Sequence, residues 1–125
     1  MLTLLFLCAS FPAKAQEAIQ DSSITGVWKG TSICQIKNSP CHDENVVYYI
    51  TKAAAGKFNI DATKIVGGKE EDMGIIGCQL DRKNSRLLSS DYNSKWIFNF
   101  NGKNLNGILY HDGALYRIIT LRKEN

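Results

Sequence analysis

Five residues able to hold a metal or supply a reactive thiol stand close together: Cys34, Cys41, His42, Asp43 and Glu44. Zinc sites usually space their paired cysteines two to four residues apart and draw a second pair from elsewhere. Here six residues separate the cysteines and the only other histidine is His111, so no metal and no cofactor is expected. A Cys34–Cys41 disulfide is the simpler chemistry. Asn38-Ser39-Pro40 is a turn signal between them, and closing an eight-residue ring contributes about 2–3 kcal/mol on the chain-entropy estimate. Asp43 and Glu44 then read as solvated charges at a strand entrance, and Cys78 as a buried odd thiol.

His111-Asp112 has the types needed for the base half of a nucleophile–base arrangement. The pair precedes Gly113, however, where an Asp serves a turn. No Gly-x-Ser-x-Gly, phosphate loop or dinucleotide fingerprint occurs. The carboxylates of "KEED" fall in a polar stretch, not on rigid facing elements as glycoside chemistry requires. The chain is not expected to be an enzyme.

What must position these residues is a set of short strands. "MLTLLFLCASFPAKAQ" reads as a secretory signal over 1–15, with Ala13-Lys14-Ala15 as a small-x-small cleavage site. The reading implies an exported protein, periplasmic or secreted, in a compartment where disulfides persist. Residues 16–24 read as a flexible leader and 25–125 as one domain. The chain carries 15 basic and 12 acidic residues, a net +3, with the basic ones dispersed. A nucleic-acid partner would want a basic stripe, so none is expected.

Period-two patterns place strands at about 26–36, 45–53, 57–65, 73–81, 86–91, 94–100, 104–110 and 114–123. "GGKEED" at 67–72 reads as a loop. "SKWIFNF" is the clearest strand, with Trp96, Phe98 and Phe100 on one face. Asn101-Gly102 and Asp112-Gly113 are both type I′ hairpin signals, which need positive φ at each position. Eight short strands joined by tight turns predict an all-β, antiparallel up-and-down meander. Closing it into a barrel removes two unpaired edges; a two-sheet sandwich is the alternative.

"GVWKG" at 26–30 resembles the Gly-x-Trp motif that opens the first strand of lipocalins and other calycins. The resemblance implies that Trp28 plugs one end of the barrel, that Gly26 lets the backbone crowd there, and that an Arg from the last strand, Arg117 or Arg122, lies across the indole. The size is closer to avidin-like barrels and to the small barrel inhibitors of secreted metalloproteases. The longer pattern "GxWKGTSxCxxxxSPCxDExVVYxI" resembles a group of uncharacterised exported Bacteroidetes proteins.

Two functions follow. In the first, the barrel binds a small, largely apolar molecule in a cavity of at least about 300 Å³, lined by Tyr48, Phe58, Trp96, Phe98 and Tyr110 and oriented by Arg117. In the second, the barrel is filled and a protein partner, such as a protease or an envelope protein, meets its loops. No transmembrane segment is expected in the mature chain.

Overall fold

The computed structural model describes residues 18–125. The expected signal segment, 1–15, lies outside the described residues. A single helical turn, α1 (Asp21–Ile24), leads into eight strands: β1 (Gly26–Cys34), β2 (Glu44–Ala54), β3 (Lys57–Val66), β4 (Lys69–Asp81), β5 (Arg86–Asp91), β6 (Ser94–Asn101), β7 (Asn104–His111) and β8 (Ala114–Lys123). Each pairs antiparallel with the next, and β1 also pairs with β8, so the meander closes into a barrel.

Alternation sets the inside. Trp28 and Ser32 on β1, Val46, Tyr48 and Ile50 on β2, and Phe58, Ile60 and Ala62 on β3 are buried. Leu87, Phe98, Phe100, Leu105, Ile119 and Leu121 complete the filling from the other strands. The rings interlock: Phe100 meets Trp28 edge-on at 5.3 Å, Tyr48 meets Phe98 edge-on at 6.3 Å, and Trp96 stacks on Phe98 at 5.7 Å. Such offset and edge contacts are the favoured aromatic geometries. Gly107 faces inward because Phe98 leaves no room there; a Cβ would sit 2.8 Å from Phe98 Cδ1.

Three local expectations change. The stretch 69–72, read as a loop, belongs to β4. Its turn is only Gly67-Gly68, both at positive φ, and β4 faces solvent along 69–75. With both faces wet, no apolar alternation marks it. At the β6–β7 turn only Gly102 has positive φ, as in a II′ turn; the I′ signal holds at Asp112-Gly113, where φ is 50° and 77°. Lastly, the leader is not loose from Asp21 onward. Ile24 is fully buried and Asp21 pairs with Lys52 and Arg82, each at 2.9 Å. Those two cations hold the Asp21 carboxyl below its usual range.

Candidate functional site

The barrel has two stoppered ends. At one, Trp28 is sealed and its Nε1 donates to the Ile24 carbonyl at 2.9 Å. The cation over its ring is Lys123, with Nζ 5.7 Å from the centroid. This corrects the expectation of Arg117 or Arg122. The register Trp28↔Lys123 puts Lys123 directly opposite the indole, while Arg122, one residue away, points out beside Lys29 and Asn104. Gly26, at φ 138°, accepts the Lys123 chain close by; a Cβ there would lie 2.9 Å from its Cε. Lys123 Nζ also donates to Ser22 O at 2.8 Å, fastening α1 to the last strand.

At the other end Arg117 is the stopper. Its Nη1 donates to His42 O (3.0 Å), Ser32 Oγ (3.2 Å) and Ser32 O (3.3 Å), and its Nη2 meets Glu44 Oε1 at 2.7 Å. Glu44 is therefore no solvated charge. It shares the inward parity of Val46, Tyr48 and Ile50, and its Oε2 is covered and has no hydrogen-bond partner among the described residues. Tyr48 lies beneath; burial first, and the Glu44 charge second, push its phenol up and keep it neutral. The same cluster steadies the Cys34–Cys41 disulfide loop, whose Cα atoms are 5.9 Å apart. Cys34 N donates to Asp43 Oδ1 at 2.9 Å and Gln35 N to Tyr116 O at 2.8 Å.

Between the stoppers the expected ligand-lining set divides. Tyr48, Phe58 and Phe98 are 0–2% exposed, so no water-sized space adjoins them. Tyr110 lies on the outer wall opposite Lys95, because Leu105, Gly107 and Leu109 take the inner positions of β7. A register shift after Leu109 sets Leu115 opposite Tyr110 too, while Arg117 stays inside with Ile119 and Leu121. Trp96 borders a void between strands, and Tyr110 an outer-wall groove.

That void is a split in the wall. β4 has thirteen residues and β5 six, and they share three register pairs, Gln79↔Leu88 to Asp81↔Arg86. Beyond these the strands part. Among the described residues, 69–78 of β4 pair only with β3, and 89–91 of β5 only with β6. Two adjoining clefts of about 260 and 390 Å³ fill the gap, lined by Ile75, Ile76, Gly77, Ser89, Asp91 and Trp96 among others. Ile76 and Trp96 form its floor, packed on the core. On the outer side Ile75 is 68% exposed, and Met73, Ile65 and Val66 are exposed on the same hairpin. A further groove, of about 780 Å³, lies on the outer wall by Tyr92, Ile97 and Tyr110.

His111 does approach a hydroxyl: Ser94 Oγ lies 3.0 Å from its Nδ1, and Asp112 Oδ2 3.4 Å from its Nε2. This is a cross-strand pair at a hairpin tip. The imidazole and carboxylate side chains are 47% and 66% exposed, so water screens their interaction. Among the described residues Cys78 is the one unbridged cysteine, and burial pushes its thiol up to about 12. No group of metal-binding side chains forms among the described residues. Comparison with protein-family models, curated proteins and solved structures returns no match.

Proposed function

We propose that the chain is an exported, non-catalytic β-barrel of calycin-like build that acts by binding another protein. The observation that carries this is the contrast between lumen and wall. The rings that would line a ligand cavity occlude one another, whereas β4 presents residues 69–78 with one edge unpaired among the described residues and apolar side chains beside it. Free strand edges are templates for pairing with another chain. Export is supported by the Cys34–Cys41 bridge, since disulfides persist in oxidising compartments. The calycin-like build is supported by the buried Trp28 of the Gly-x-Trp opening and the cation over it, a Lys here.

A small apolar ligand is the second reading, favoured by one observation: Trp96 and Ile76 floor a cleft of about 260 Å³, close to the roughly 300 Å³ at which ligand pockets begin. Cross-linking the full chain in an extract of its own source, followed by native mass spectrometry, separates the two. A cross-linked protein attached through the β3–β4 hairpin is the expected result. A stoichiometric small-molecule adduct, with no cross-linked protein, would overturn the protein-binding reading.

A further inference from the structure

Taking the protein-binding reading as its premise, we infer that the wedge between β4 and β5 receives an extended segment of a partner protein as an added strand, one bearing both apolar and basic side chains. Two facing edges bound the wedge, 69–78 of β4 and 89–91 of β5, each hydrogen-bonded, among the described residues, on its far side only. An extended peptide entering there pairs with both at once, and main-chain bonds supply affinity in strand addition. The floor of Ile76 and Trp96 takes an apolar side chain from the barrel-facing side of that segment.

Charge selects the occupant. Glu70, Glu71 and Asp72 stand on the stretch of β4 above the wedge and Asp91 lines the wedge itself. None of the four forms an ion pair among the described residues, while Glu70 accepts from the Tyr49 hydroxyl at 2.7 Å and Thr63 Oγ1 at 2.9 Å and Glu71 has Lys64 as its register partner. The strip is locally acidic on a chain of net charge +3. Asp61, on β3, is pushed up by desolvation first and then by the Asp72 and Glu70 carboxylates, whereas Glu70 is held down by its hydrogen bonds from Tyr49 and Thr63. A cationic segment neutralises this strip. A second copy of the chain would bring another Glu70-Glu71-Asp72 run toward it, and like charges set across strands are unfavourable.

The test uses the full chain and three blocked heptapeptides: alternating Val and Lys, the same with Glu for Lys, and the Val/Lys peptide with its central Val replaced by Pro. Titration and amide hydrogen exchange are read together. The expected result is that the Val/Lys peptide slows exchange at least tenfold within both 73–78 and 89–91. Binding of the Glu and Pro peptides is expected to be at least tenfold weaker. Asp91→Lys should weaken the Val/Lys peptide at least tenfold with an unchanged melting temperature, and Lys37→Ala, in the disulfide loop, should leave it unchanged. Equal binding of the Pro peptide, protection of one edge only, or protection that grows with protein concentration without peptide (self-association) would each overturn strand addition by a cationic partner. So would no binding by any peptide. That result would leave the broader reading standing, because the cross-linking experiment decides it separately.

Discussion

Replacing Gly30 by Ala should open the seam that closes the barrel. Gly30 faces inward on β1 opposite Leu121 of β8. A Cβ built there would fall on the carbonyl oxygen of Thr120, with the Thr120 carbonyl carbon at 2.9 Å and Leu121 Cα at 3.0 Å. All three are backbone atoms, so no rotamer change relieves the overlap; β1 and β8 must separate. Overpacking of this kind costs about 1–3 kcal/mol. Stretching one or two ladder bonds adds about 1 kcal/mol each. Ala regains about 0.5–1 kcal/mol over Gly within a regular strand. The net is a loss of about 2–3 kcal/mol, which in a domain of this size lowers Tm by roughly 8–12 °C. Gly77→Ala is the control, because the nearest atom to its Cβ would be Asn59 Oδ1 at 3.9 Å; with no overlap to offset it, the gain of Ala over Gly should raise Tm by about 2–4 °C. Calorimetry reads the stability, and amide exchange in 28–34 and 117–123 reads the seam. If Gly30→Ala melts within about 2 °C of the parent, or no lower than Gly77→Ala, then β1 and β8 are not held as close as the argument requires.

Three further outcomes follow from the two stoppers and the buried thiol. Lys123→Met should cost about 0.5–2 kcal/mol by removing the charge over Trp28, and Arg122→Met less than about 0.5 kcal/mol; chemical denaturation measures both, and a reversed order would return the indole to Arg122. Arg117→Met leaves the Glu44 carboxylate covered and unpaired, at a cost of about 2–4 kcal/mol, whereas the Arg117→Met/Glu44→Leu double variant should recover most of it; a double variant no better than the single would show that the pair is not the source. Cys78 binds its proton more tightly folded (about 12) than at its ordinary 9.0, so its contribution is whole below pH 9 and is lost as pH rises from 9 toward 12. At pH 10.5 the loss is about 2 kcal/mol, read as a fall in the urea midpoint that in Cys78→Ala begins only above pH 10, where Tyr48 takes over. A parent protein whose midpoint is flat to pH 10.5 would contradict this burial.

The strand pattern was legible wherever one face is dry. Trp96, Phe98 and Phe100 mark β6 because their neighbours Lys95 and Asn99 are wet, and the disulfide was legible because turn and cysteines lie in one short stretch. Legibility fails where both faces meet water, as along 69–75 of β4, whose best signal was Gly67-Gly68, a dipeptide suited to a type I′ turn. It fails again where a contact depends on register between distant strands. Parity left both faces of β8 open, with Arg117 inside if Leu115, Ile119 and Leu121 point in; only the pairing of residue 28 with residue 123 identifies Lys123 as the cation on the indole. On β7 the sequence offers Ile108 and Tyr110 against Leu105 and Leu109 as the buried set, and the space beneath Phe98 decides for the face that carries Gly107. The split wall was hidden for a different reason: it arises from unequal strand lengths, and the length of β4 was the one misread.

An eight-stranded barrel has room inside for side chains or for one small ligand, but not for both. Here Trp28, Tyr48, Phe58, Phe98 and Phe100 occupy that room, and the ends are stopped by a lysine–indole contact and an arginine–glutamate pair. With the lumen filled, the proposed recognition falls to whatever the wall leaves unpaired. Edges in β proteins are usually blunted by charge or by bulges, and the upper part of β4 has both, with Glu70, Glu71 and Asp72 on it and a register shift opposite Ala62 and Thr63. Those devices discourage a like-charged or uncharged strand from pairing there, and they do not repel a cationic one. On the strand-addition proposal, protection against aggregation and selection of a basic partner would be served by the same residues. The apolar floor at Ile76 and Trp96 begins just below, where the acidic run ends.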